Sequence, residues 1–549
     1  MANLPLRTLG AAGVITDPNP YDLPPNAFSN CSNVMFEEGK VLRAPVFKRL
    51  FEQTTQTAAE NTPLSAFNYD TTAQGGVIGV ALSNSSVYDY ANGNYANVTP
   101  GSAPATSSQI PYSHTQISGL SVLSRSASEP YIRNIGADAT YSLMSVGDWP
   151  TADRAAVMRT YKDFLVALNV TQGGVQYDTM VKWTDPVPYK ATLASEVVWT
   201  AGTTNSAGSN ILQQVRTPIV DGLNLGNVFI IYSSTESIIM EYTGSTYIFS
   251  FKELFDDDGV INKNCLVNTG REHYVFGDND IYVHNGITKQ SIADARVRKR
   301  IYSSMSRDNK HRFFAHHNLR LNLIYFCYVS DESDIGFVGA PYCNRAAIYN
   351  VTNNTWSFMD LPNVVGAAET NVDLSSQSYA SMTEDYSATN VAYAEYADTS
   401  PRTSAFVTVR NDAQGLTTPQ VYASDLLLTG LIDKAAASET LKTAFVERLG
   451  IDLDETQAPL RSYKQIISMI PQVSTTSGTD QVVFKIGSTD MAHDTSPTYV
   501  TTYTYTPNTD YKIDTKASGR LLAYRCEETQ GNYFNFSGVD FEIDIQSGR

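Results

Sequence analysis

Seven histidines are the first residues to test for chemistry: His114, His273, His284, His311, His316, His317 and His493. None falls in an H-E-x-x-H spacing, which would set two imidazoles on one helix face for a metal. His316 and His317 are adjacent, so on a strand they point to opposite faces. No G-x-S-x-G, phosphate-binding G-x-x-x-x-G-K-[ST] or G-x-G-x-x-G segment occurs. Asp256-x-Asp258-Gly259 resembles the opening of a calcium loop, but the glycine position and the closing Glu are missing, so it reads as a polar turn. Paired carboxylates for glycoside hydrolysis are assembled in space rather than in sequence, and an acidic chain offers accidental pairs. The five cysteines, Cys31, Cys265, Cys327, Cys343 and Cys526, are odd in number, far apart and without C-x-x-C, which suits neither a disulfide framework nor a zinc site. The expectation is a protein that is not an enzyme and needs no cofactor or metal.

Charge narrows the partners. Asp and Glu total 56 against 39 Lys and Arg, a formal net charge of −17. A protein that grips nucleic acid needs a basic face to meet phosphates. The one dense basic cluster is Arg296, Arg298, Lys299 and Arg300, within residues 293–300. It reads as a solvated helix face or an ion-pairing surface between subunits, and less readily as a phosphate contact. The start, MANLPLRTLGAAG, has no adequate apolar segment for a secretion signal, and no run of eighteen apolar residues exists. Synthesis in a cytoplasm without membrane insertion is expected.

The elements that must position these residues are strands. Charged residues are only 17%, while Tyr (33) and Phe (22) are plentiful; that mix favours strands and turns over long helices. Between Tyr247 and Tyr302, three β-type runs, 265–267, 273–276 and 281–284, are each bounded by Gly, Asn or Asp. The last ends in Asn285-Gly286, which favours a tight hairpin turn. A unit pairing a Tyr-containing β run with a small polar turn recurs at 87–93, 175–183, 238–244, 281–286 and 348–356. Residues 164–168 and 228–232 read as buried strands preceding two of these hairpins. Sheets that recur this way cannot bury their faces alone, and stacking them radially gives a β-propeller; five or six sheets fit.

The ends read differently. Residues 1–60 look like an extended, Pro-rich arm followed by a hairpin at 33–43. Residues 61–420 hold the irregular propeller. Residues 371–430 are Ser/Thr/Ala/Asp-rich and poorly patterned, and 433–450 suits a helix by the spacing of Leu441, Phe445 and Leu449 or a strand from Phe445-Val446. Residues 421–549 form a β-sandwich-like domain, ending in Val539–Ile545. There Val539, Phe541, Ile543 and Ile545 share one face and Asp540, Glu542 and Asp544 the other. The whole is an all-β chain.

Several islands resemble the tail nozzle proteins of short-tailed bacteriophages, the tail tubular protein B-like group. They are Gly13-Val14-Ile15-Thr16-Asp17, Pro20-Tyr21-Asp22-Leu23-Pro24-Pro25-Asn26 and Asn33–Lys40 near the start. Tyr247–Gly270, Gly277–Gly286 and Lys289–Asp294 follow in the centre, then Tyr349–Pro362, Ser518-Gly519-Arg520 and Ser537–Asp540. They run in order along nearly the whole chain; residues 433–450 have no counterpart.

The resemblance implies a virion protein of the tail, a ring of six copies below an adaptor, conducting double-stranded DNA and carrying fibres or spikes. On that reading Asp540, Glu542 and Asp544 are candidates to face the lumen, where like charge keeps the duplex sliding in water within a Debye length of about 8 Å. Asp17, Tyr21, Asp22, Leu23, Arg296, Arg298 and Arg300 are candidates for contacts with neighbouring subunits or the adaptor. The alternative is a receptor- or glycan-binding propeller of a viral fibre or adhesin, which would expose clustered Trp; only four Trp occur, scattered.

Overall fold

The computed structural model describes residues 2–49, 63–71, 75–91, 94–101, 108–245, 247–333, 335, 341–371, 402–411, 417–426, 442–452, 462–477, 479–491 and 496–546. Six consecutive antiparallel sheets occupy residues 63–426, five with four strands and the sixth extended to seven by residues 402–411, 417–426 and 46–49. In each, the strands follow one another as a meander, apart from residues 46–49 at the edge of the sixth. The first strands, Pro63–Thr71, Ser113–Ile117, Arg154–Tyr161, Ile219–Leu225, Leu266–Asn268 and Phe314–Asn318, converge on one central cavity. The fold is therefore a six-sheet β-propeller.

Apolar wedges between successive sheets hold the ring together. Along Phe164–Gln172 both faces are buried: Leu165 and Ala167 pack toward the second sheet's Leu120, Val122 and Ile132, while Phe164, Val166 and Leu168 pack toward the fourth sheet's Phe229, Ile231 and Met240. Period-two side chains sandwiched on both sides explain why such strands read as continuous apolar runs. Trp149 and Trp199 meet edge to face at 4.8 Å in the same wedge as Leu165. Burying one large side chain of this kind stabilises by about 1.5–3 kcal/mol.

The recurring Tyr-containing unit is one structural element, the third strand of a sheet. It matches Val87–Ala91, Val175–Trp183, Ser237–Tyr242, Ile281–His284 and Cys343–Asn350. The second sheet's third strand, Ser128–Asn134, also carries a Tyr, Tyr131, ahead of the turn at Gly136. The loop after His284 is wider than a two-residue turn. Lys289 pairs with His284, Gly286 takes φ +85°, and the Asn285 carboxamide oxygen accepts from the amides of Ile287 (3.0 Å) and Thr288 (2.9 Å).

The last 100 residues form a second body with the first 43, which corrects the extended-arm reading. Ala2–Arg7 pairs with the long strand Phe534–Gln546, and the hairpin Val34–Glu37/Lys40–Arg43 joins the same strand further along. Asn30–Ser32 pairs with Ala444–Ile451 in the opposing sheet. The two sheets, six- and five-stranded, bury Ile466, Met469, Phe536, Phe541 and Ile543 against Val446, Phe484, Ile486 and Tyr524. Proline in the opening residues excludes helix but not strand, and the missing half of the sandwich is supplied from the chain's far end. Phe445-Val446 does open a strand; residues 427–441 lie outside the described residues, as do 372–401.

The Thr355–Asn371 strand closes the ring. Its first half pairs within the sixth sheet, the register shifts between Val364 and Gly366, and its second half packs on the first sheet. A Cβ on Gly366 would lie 2.8 Å from the Ala66 amide nitrogen. Gly366→Val should therefore destabilise by about 1–3 kcal/mol through overpacking, read as a lower midpoint in urea; an unchanged midpoint would show that this approach does not bear on closure.

A buried relay joins the fourth and fifth sheets. His273 Nε2 lies 2.6 Å from the Asn224 carbonyl, so it carries the proton and Nδ1 accepts from the Tyr232 hydroxyl at 2.8 Å. His284 Nε2 then donates to the Tyr232 oxygen at 2.6 Å, and its Nδ1 accepts from the Gly286 amide at 3.2 Å. Both imidazoles are neutral in this chain of bonds. Burial holds His273 down at about 4 and His284 at about 3, the latter with help from His273. Both sit below the ordinary value, so the unfolded chain binds more protons on acidification and stability falls as pH drops from about 6.5 toward 3. Tyr232→Phe, which orphans two ring nitrogens, should cost about 1–3 kcal/mol at pH 7. Urea titrations between pH 4 and 7 test both; a flat wild-type profile would contradict the relay.

Candidate functional site

The central cavity is the candidate site, because all six sheets contribute to it. Its volume is 260 Å³. Ser65–Asn68 come from the first sheet, Tyr112 and His114 from the second, Arg159 from the third and Asp221 from the fourth. Asn262–Asn264 precede the fifth, and Arg312–Ala315 lead into the sixth.

Asp221 is the hub. Its carboxylate accepts from Arg159 Nε and Nη2, both at 2.9 Å, and from the amides of Gly222 and Asn264, both at 2.8 Å. Arg159 also donates to the His114 carbonyl at 2.8 Å and the Asn264 side-chain oxygen at 2.9 Å. Asn264, at φ +61°, donates to the Tyr112 carbonyl at 3.2 Å, and its own carbonyl accepts from Ala315 at 2.8 Å. Five sheets are thus laced to one carboxylate that is 1% exposed. A bidentate, fully satisfied pair of this kind fixes geometry as well as charge.

The other polar side chains are held less completely. His114 stacks on Phe67 with centroids 4.6 Å apart, and its Nε2 lies 3.0 Å from the Ser121 hydroxyl. Burial, then Arg159, holds it near 3, so it is neutral. Arg312 lies over the Tyr342 ring at 4.3 Å and donates to Gln109 at 3.1 Å, leaving its Nε buried without a partner among the described residues. Lys263 is 7% exposed, between two anchored asparagines: Asn262 donates to the carbonyls of His311 (3.0 Å) and Phe313 (3.1 Å).

None of these cavity residues belongs to a motif. Their signal is weak: polar residues inside short β runs, a pattern shared with solvent-facing strands. His316 and His317 do point apart; His316 bonds the Ser404 hydroxyl at 2.8 Å and His317 the Asn322 side chain at 3.2 Å. Asp257 and Asp258 both pair with Lys289, Asp257 at 2.9 Å. The described residues hold no cluster of three or more His, Cys, Asp or Glu arranged for a metal. All five thiols are buried and free.

Most of the residues expected to make subunit or adaptor contacts are engaged within the chain. Asp17 accepts from the Lys299 amide in the first turn of the helix Arg298–Ser304, at 3.1 and 3.2 Å. Arg296 donates to the Asn354 carbonyl at 2.7 Å, and its own carbonyl accepts from Thr16 and Asp17. Arg300 bridges Glu332 (3.1 Å) and Asn30 (2.8 Å) above the Phe358 ring. Leu23 is buried, and Arg448 grips the backbone around it through the carbonyls of Pro20 (2.6 Å) and Leu23 (2.8 Å). Tyr21, Asp22 and Arg298 remain exposed, Arg298 in a pair with Asp294 at 3.1 Å.

The acidic row lies on the outer face of the six-stranded sheet, in a central strand. Arg7 offsets one of its charges by pairing with Asp540 at 3.0 Å, and Glu542 accepts a hydrogen bond from Ser468 at 2.9 Å. Asp544 is exposed. Asp514 stands on the neighbouring row, paired with Lys512 at 2.8 Å.

No family model matches this chain, and no curated protein matches it. Among solved structures it is similar to a chain of the mitotic checkpoint complex: 11% identity, TM-score 0.35, covering 60% of this chain and 91% of that one. It is also similar to a chain in the complex of BBS1N with ARL6DN: 10% identity, TM-score 0.37, covering 69% and 97%. Neither likeness says what this chain binds.

Asp221→Ala should leave Arg159 buried without its counter-charge and cost about 3–5 kcal/mol. The urea midpoint should fall accordingly, whereas Asp514→Ala on the outer face should change it by less than about 1 kcal/mol. Equal effects would remove Asp221 from its position as hub.

Proposed function

We propose that the chain is a structural tail protein of a short-tailed bacteriophage, a nozzle subunit that assembles as a ring of six around the path of the ejected genome. The observation that carries this reading is the way the islands of resemblance meet. Residues separated by hundreds of positions pack at the joint between the propeller's fifth and sixth sheets and the sandwich. Asn33 takes the amide of Asp360 at 2.9 Å, Asn350 donates to the Phe36 carbonyl at 3.0 Å, and Thr16 and Asp17 bond Arg296, two residues past the Lys289–Asp294 island. Trp356 donates to the Ile292 carbonyl at 2.9 Å. Islands scattered along a chain but joined in space are what a shared architecture would keep together.

Asp540, Glu542 and Asp544 remain the candidates for the lumen, and Tyr21, Asp22 and Arg298 for contacts with neighbouring subunits or the adaptor. A lumen strip carrying Arg7 and Lys512 beside its carboxylates would repel a duplex only weakly at physiological salt. The glycan-binding alternative loses support, because Trp149, Trp183, Trp199 and Trp356 are all buried and offer no stacking platform.

Cryo-electron microscopy of a virion carrying this chain is the test. The expected result is six copies around the distal tail channel, with the 534–546 strand bordering the bore. The chain forming a radiating fibre, or being absent from the tail, would overturn the reading. A ring whose bore is bordered by other strands would overturn the acidic-row assignment alone.

A further inference from the structure

Lys263, like Arg312, pairs with no carboxylate among the described residues. Among the described residues its Nζ has neither a hydrogen bond nor an ion pair, although the residue is 93% buried. The nearby Asp221 carboxylate is already occupied by four donors. The cavity therefore gathers three cations, Arg159, Lys263 and Arg312, against a single carboxylate, in a chain whose net charge is −17. A buried, unmatched ammonium is costly unless something completes it. The space of 260 Å³ far exceeds the roughly 30 Å³ share of one water.

We propose that the propeller's central cavity binds a small tetrahedral oxyanion, with Lys263 as its principal cation and Arg312 as the second. The chemistry suits that class. An ammonium offers three donors without a fixed plane, and the Arg312 guanidinium lining the same space adds planar ones. Asn68 lines the same space and supplies a neutral carboxamide donor. This site is independent of the tail-protein reading.

Titration adds a signature. Burial lowers Lys263 to about 7; Asp221 opposes this, and Arg159 and Arg125 lower it further. Also facing the cavity are His114, which is neutral, and Arg159, Arg312 and Asp221. Only the protonated lysine binds an anion, so affinity should weaken as pH rises through 7.

The experiment uses the full chain and sodium sulfate, which stays dianionic throughout, against sodium chloride at matched ionic strength. Calorimetry and thermal shift are followed at pH 6.0 and 8.5. The expected result is saturable sulfate binding that weakens by about tenfold or more at the higher pH, following the protonated fraction. Lys263→Met removes a buried charge while keeping the volume, so it should fold, and it should lose the saturable response. Arg312→Gln should weaken binding by about tenfold, the usual scale for one charge-assisted contact. Lys516→Met, exposed on the sandwich, should bind like the wild type. Equal sulfate responses in wild type and Lys263→Met, or a response that does not saturate, would overturn the proposal, as would affinity unchanged between the two pH values.

Discussion

One buried carboxylate organises the propeller. Six meandering sheets can pack pairwise through apolar wedges, but wedges are non-directional and do not set where the ring closes. Asp221 supplies direction. Its four donors come from the third sheet, from its own strand and from the loop entering the fifth, and Arg159 and Asn264 extend the lacing to the second and sixth. Placing a carboxylate so deep is tolerable only because every lone-pair direction is met. The same arrangement leaves Lys263 beside an anion that has nothing more to accept.

A second constraint sits where the propeller meets the sandwich. Asp360, fully buried, accepts from Ser32 and Asn33 at 3.2 Å and from Ser333 at 2.9 Å, and pairs with Arg345 at 3.4 Å. The Asn33 side chain also donates to the Thr443 carbonyl at 2.9 Å. The beginning, the middle and the last quarter of the chain are thus fastened at one place, and the apolar core runs without a break from the fourth sheet into the sandwich. The two bodies share a core.

Legibility in the sequence followed burial on two faces. The third strands and the strands before them stood out because aromatic and branched residues repeat there, as in Val228–Ser233 and Ile281–His284. The first strands did not. Ser113–Ile117 reads S-H-T-Q-I and Phe314–Asn318 reads F-A-H-H-N, because the inner end of each sheet faces a polar cavity. Residues 402–411 and 417–426 are poorly patterned in sequence yet form strands. Their partners lie in the sixth sheet and at residues 46–49, too distant for a local pattern to show.

The sequence alone determined the all-β class, the recurrence of small sheets and the absence of familiar catalytic spacings, since side-chain period and turn residues are local properties. It also carried the alternation of Val539–Ile545, so the acidic face was visible before any partner strand was known. Tertiary structure decided the rest. It turned the expected N-terminal arm into half a sandwich, because Ala2–Arg7 finds its hydrogen-bonding partner more than 500 residues away. It also brought Arg159, Asp221, Lys263 and Arg312 around one cavity. Residues on four different sheets have no common spacing, and only radial closure makes them neighbours.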